Sequence, residues 1–113
     1  MADRFDPLLV ASGGFAGATL RYGVGAALPG AAGTLAVNVA GSFLLGAMLA
    51  FAPTRRARVL LGTGLLSSFT TYSTFAVQTA ALGPTWGAAN AGANYALGFA
   101  AAFAGLAVGG RHR

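Results

Sequence analysis

Between Ser67 and Thr74 the chain reads SSFTTYST, so seven of eight consecutive residues carry a hydroxyl. Hydroxyls both donate and accept, which suits a path for a small ion stripped of part of its water. They can also bond back to carbonyls one turn earlier and bend or open a helix. A break of that kind frees backbone carbonyls able to hold a cation such as sodium. Tyr72 and Phe75, spaced i, i+3, project from similar faces of a helical turn. An aromatic ring is positive at its edge, so two edges beside a narrow path favour a small anion; ordinary packing of the rings is the plain alternative.

Amides supply the next chemistry. Asn38 lies in GTLAVNVAGSF, where it either bonds a neighbouring helix or offers N–H donors to a passing anion without a charge that would trap it. Asn90, Asn94 and Gly98 recur every four residues and share one helix face. Arg21 is the one charge inside an apolar run, either snorkelling to the interface or lining an anion vestibule. His112, between Arg111 and Arg113, reads as a solvated tail residue.

The elements that must position these groups are membrane spans. Hydrophobic residues make up 56% and charged residues 8% of the chain. Soluble domains carry about 25% charged residues, so this chain could not cover a water-facing surface. Four spans are expected at about 7–28, 33–52, 59–82 and 86–110, within one small domain, 1–113, that has no leader peptide and no soluble module. PTRRAR (53–58) reads as a polar loop, Pro29-Gly30 and Gly83-Pro84 as turns, and Trp86 as an interfacial anchor. The hydroxyl block falls mid-span, where lipid would leave it unsatisfied, so it must face protein, water or an ion. Gly13/Gly17, Ser42/Gly46 and Gly105/Gly109 are small-xxx-small pairs; any one of them packs either the helices of one chain or a second chain, and their density favours an oligomer. Four helices are too few to line a pore alone. Lys, Glu and Cys are absent, which excludes disulfides and thiolate metal sites.

Three stretches taken together, GGFAGATLRY (13–22), GTLAVNVAGSF (33–43) and GLLSSFTTYSTF (64–75), give the chain a resemblance to the CrcB/Fluc family of fluoride channels over nearly its whole length. The resemblance implies an all-α membrane protein of four transmembrane helices, the third broken at its centre, paired as an antiparallel dimer. It implies two fluoride pathways and a central structural Na+ held by the Ser67 and Thr70 carbonyls. Asn38 resembles the second-helix pore amide, Tyr72 and Phe75 the aromatic-box pair, and Thr71 and Ser73 the hydroxyl track. Asn90 and Asn94 resemble fourth-helix pore-lining positions, Arg21 matches the first-helix arginine, and Gln78 falls in the vestibule. The chain departs from the pattern at Ser67, usually Gly, at Tyr72, usually Phe, and at Gln78, where many relatives carry Glu. Ser67 then requires a backbone free of any glycine-specific conformation.

The expected function is passive export of fluoride across a bacterial plasma membrane, with no enzyme chemistry and no nucleic-acid partner. Arg4, Arg55, Arg56, Arg58, Arg111 and Arg113 fall on one side of four spans, which puts both termini in the cytoplasm. So strong a bias favours pairing with an oppositely oriented paralogue over a homodimer that inserts both ways. Two rivals stand beside this reading. A small proton-coupled multidrug exporter needs an intramembrane carboxylate, and no Asp or Glu lies beyond Asp6. A non-conducting partner subunit of a fluoride channel is the other.

Overall fold

The computed structural model describes residues 3–51 and 54–111, all of whose regular elements are helical. Helix α1 spans Asp6–Ala27, α2 Ala31–Phe51 and α3 Arg55–Arg58. A π-helical segment, Val59–Leu66, leads into α4, Ser67–Phe69; α5, Ser73–Ala81, and α6, Gly83–Arg111, complete the chain. The third span is therefore a continuous helical run over 55–69, a break at 70–72, and a short helix. Arg55–Arg58, expected in a loop, is helical because the Thr54 hydroxyl accepts the Ala57 N–H at 3.3 Å and caps it. Pro53, His112 and Arg113 lie outside the described residues. The last span opens at Gly83, three residues before Trp86: Gly83 takes φ +83°, and Pro84 follows at the start of the new helix. Helices α2 and α6 are each long and apolar enough to cross a membrane.

Two glycine seams hold the bundle. Along the first, α1 lies on the π-helical segment: a Cβ at Gly13 would strike the Leu60 carbonyl oxygen, and one at Gly17 the Leu65 carbonyl oxygen. Along the second, α2 runs parallel to α6, with Gly46 on the Ala102 carbonyl, Gly105 on that of Phe43 and Gly109 on that of Ala47. Backbone replaces side chain at each contact, which gives close packing where burial supplies no drive between helices. These glycines pack helices of one chain against each other. For these pairs the structure takes the first of the two roles that spacing allowed.

An ionic clip fixes one end. The Arg55 guanidinium grips both Asp6 carboxylate oxygens at 2.9 and 2.7 Å, and Arg56 pairs with Asp3 at 3.2 Å. The guanidiniums of Arg4 and Arg56 each stand 4.9 Å from the centre of the Phe5 ring. The hydrogen bonds from Arg55, then from the Asp3 N–H, hold Asp6 down at about 2. The Phe5 N–H, with help from Arg56, holds Asp3 below the ordinary range. The parallel run of α2 and α6 brings Arg111 to this same end.

Candidate functional site

The break in the third span is built by competition for hydrogen bonds. Thr70 turns extended, at φ −81° and ψ 162°, after the Ser67–Phe69 turn. The Thr71 N–H, which a continuous helix would give to the Ser67 carbonyl, donates to Asn38 Oδ1 at 2.8 Å. The Thr74 N–H, which would go to the Thr70 carbonyl, donates to the Thr71 hydroxyl at 3.2 Å. Both carbonyls thus lose their helical partners. Two oxygens freed at the break make a donor set suited to a monovalent cation. Ser67 itself sits at φ −65° and ψ −30°, ordinary right-handed helix, so the serine imposes no strain. Its hydroxyl bonds back to the Thr63 carbonyl, and that of Thr70 to the Leu66 carbonyl at 3.0 Å.

Asn38 grips Thr71 from both sides, because its Nδ2 donates to the Thr71 carbonyl at 2.9 Å. An amide chain runs on from there. Asn38 Nδ2 reaches Asn94 Oδ1 at 3.5 Å, Asn94 Nδ2 donates to the Asn90 carbonyl at 2.8 Å, and Asn90 Nδ2 to the Thr79 hydroxyl at 2.9 Å. The three amides therefore brace α2, α5, α6 and the break against one another. Asn38 takes the helix-bonding role of the two that its sequence context allows: its N–H groups are engaged.

A groove of about 620 Å³ runs beside the break, with Ser67, Thr70, Thr71, Asn38 and Asn94 in its polar wall. Tyr72 and Phe75 join it, their ring centres 5.8 Å apart and tilted by 54°. They do not share an environment: Phe75 is 8% exposed and Tyr72 70%. Two groove residues escaped the sequence reading. Tyr95 meets Phe75 at 5.9 Å and 84°, and Phe99 extends the row from Tyr95 at 6.1 Å. The signal that could have found them is their own i, i+4 spacing, directly after Asn94 and Gly98. Ser73 lies exposed at the start of α5, outside the groove lining; Asn90, half-buried in α6, is outside it too. Arg21 and Gln78 also lie outside it, both half-buried; the Gln78 Oε1 is buried without a hydrogen-bond partner.

A family model described as CrcB-like protein, Camphor Resistance (CrcB), matches residues 8–106. Fluoride-specific ion channel FluC 2 of Halobacterium salinarum is 54% identical over 112 residues, covering 94% of this chain and 88% of the relative. Fluoride-specific ion channel FluC 1 of Natronomonas pharaonis is 55% identical over 100 residues, covering 82% and 84%. A protein of the same name from Haloarcula marismortui is 50% identical over 106 residues, covering 89% and 83%.

Proposed function

The chain belongs to the CrcB-like family and is, with it, a multi-span membrane protein; from that premise we propose that it is a fluoride-specific channel through which cytoplasmic fluoride leaves the cell passively. The pathway rests on one observation, the gathering of helix break, amide brace and aromatic row along a single groove. The choice of ion rests on the names of the relatives. In acidic surroundings fluoride enters as neutral HF and dissociates inside. An inside-negative potential, worth about 2.3 kcal/mol per charge per 100 mV, drives the anion out. No catalytic group is called for.

Fluoride holds its water tightly, so the path must offer donors while binding weakly enough to let go. The hydroxyls of Thr71 and Tyr72 and the ring edges of Tyr72 and Phe75 offer positive ends without a full charge, and the Ser73 hydroxyl stands outside the groove lining. Asn38 serves by holding the break open, Asn94 keeps the facing wall polar, and Asn90, outside the lining, holds the Asn94 amide. Arg21 and Gln78 flank the path as vestibule residues. The Ser67 and Thr70 carbonyls would hold a structural Na+, which supplies a fixed positive charge at the break when bound. Thr70→Ala leaves that donor in place, because the carbonyl survives.

A second chain closes the path. The groove exposes polar backbone beside Leu45, Leu49 and Leu106, and lipid cannot satisfy the polar part. An antiparallel dimer covers it with protein, and the arginine count favours an oppositely oriented paralogue over a second copy of this chain. Both termini then lie in the cytoplasm. The three relatives named above are archaeal, which removes the reason to prefer a bacterial membrane.

The exporter alternative lacks its proton carrier: the acidic residues are Asp3 and Asp6, both paired with arginine at one end. Liposomes containing the purified protein and read with a fluoride electrode decide the matter. Fluoride release with chloride retained is expected once an oppositely oriented partner is present; drug-dependent proton movement without fluoride release overturns the reading. Silence of the lone protein, restored by adding an oppositely oriented paralogue, identifies a partner subunit. Release by the lone protein, with equal C-terminal reporter signals from both sides, identifies a homodimer.

A further inference from the structure

Phe75 is the most enclosed ring of the groove, and it is held from two sides. Tyr72 approaches from its own segment, at a tilt of 54°. Tyr95 approaches from α6, with its ring nearly perpendicular at 84° and 5.9 Å between centres. Perpendicular pairing directs a ring edge at a ring face, so turning either ring about its side-chain axis costs the contact. Tyr95 directly follows Asn94, whose amide reaches Asn38 at the break. One stretch of α6 therefore sets both the brace on the break and the angle of the Phe75 ring.

We propose that Tyr95 is a positioning residue for Phe75: it fixes which part of that ring faces the groove and so sets discrimination between small anions. This inference rests on the fluoride-pathway reading above. An edge-on ring attracts an anion and a face-on ring repels it, so a freely turning ring both slows passage and blurs selection. The aromatic contact is the active part; the hydroxyl is not needed. Tyr95 is 52% exposed on its own subunit, so its truncation opens no enclosed cavity within that subunit.

The test compares Tyr95→Leu with Tyr95→Phe in the fluoride-electrode assay, with chloride release measured in parallel and assembly checked by gel filtration. Tyr95→Leu is expected to slow fluoride release by roughly two- to tenfold, the range an aromatic contact supports, and to narrow the fluoride-to-chloride ratio. Tyr95→Phe is expected to match the parent. Should Tyr95→Leu fail to assemble, Tyr95→Met takes its place. Parental selectivity in the aliphatic variant, or equal loss in Tyr95→Phe, overturns the proposal. A readout independent of conduction is the ¹⁹F line of Phe75 in protein labelled with 4-fluorophenylalanine, assigned with Phe75→Ile. The line should shift and sharpen in the aliphatic variant as the ring is released; an unchanged line rejects the positioning role even if the parent conducts. A parent that releases no fluoride even with an oppositely oriented partner present, while the ¹⁹F line still responds, rejects the pathway reading and leaves the Tyr95 contact standing.

Discussion

Helix α2 meets its neighbours in two different ways. Toward α6 it offers glycine and backbone, with Gly46 against the Ala102 carbonyl and the Phe43 and Ala47 carbonyls against Gly105 and Gly109. Toward the third span it offers the Asn38 amide, which takes two hydrogen bonds away from a would-be helix. The first contact has no chemistry and no slack, because a carbonyl oxygen occupies the space a side chain would need. The second has chemistry and some room. Stability is thus concentrated in one face of α2 and the candidate ion path beside the other, so changes on the two faces should fail in different ways.

The largest effect should come from the inert face. Gly105→Ala places a methyl on the Phe43 carbonyl and should cost about 1–3 kcal/mol through forced separation of α2 and α6. Gly92→Ala, on the same helix, meets nothing within 4 Å and should leave the protein as stable or slightly more so. Thermal unfolding in detergent compares the two, and equal transitions would break the contrast. Phe75→Ile comes next: it should abolish most fluoride release in liposomes while gel filtration and unfolding stay near those of the parent, because bulk is kept and the polarised ring edge is lost. Normal flux would remove Phe75 from the path.

Asn38→Asp sharpens the comparison. A carboxylate still accepts the Thr71 N–H but faces the Thr71 carbonyl without a donor, leaving that carbonyl unpaired at about 1–3 kcal/mol. Fluoride release should fall clearly and stability modestly; undiminished flux at neutral pH would count against the brace. The smallest effect belongs to the clip. Asp6 titrates lower when folded, so its contribution is complete above the ordinary value of 3.8 and is lost as pH falls through about 2. Asp6→Asn should lower the unfolding temperature slightly at neutral pH, and the gap from the parent should close on acidification toward that value. A gap that persists there would mean the clip acts through something other than charge. Salt should shrink the gap too, since the pair is exposed.

The sequence reached the break because hydroxyls in that density cannot all ride a lipid-facing helix, and SSFTTYST is local information. It reached Asn38 and Asn94 through residue type and spacing. It did not reach the π-helical turns of Val59–Leu66, where the Ser67 N–H bonds to the Gly62 carbonyl five residues back. That choice depends on how closely α1 lies on Gly64, which is a property of two segments together. Tyr95 and Phe99 carry a spacing signal beside Asn94 and Gly98, but the contact that makes Tyr95 matter comes from Phe75 standing opposite. The glycine pairs were read correctly as close contacts, and the structure puts Gly13, Gly17, Gly46, Gly105 and Gly109 between helices of one chain, because spacing records that two backbones touch and not which two.

The clip at the Asp3 and Asp6 end bears on how the chain enters the membrane. Asp6 emerges from the ribosome about fifty residues before Arg55, so the pair can close only after the first two helices have been made. Closure ties the beginning of the first helix to the beginning of the third on one side of the bilayer. Turning the whole chain over preserves every bond of the clip, whereas misplacing one helix breaks it. The device is therefore blind to which way up the protein sits and strict about its internal winding. Insertion errors that reverse the entire chain escape it, and errors that strand a single helix do not.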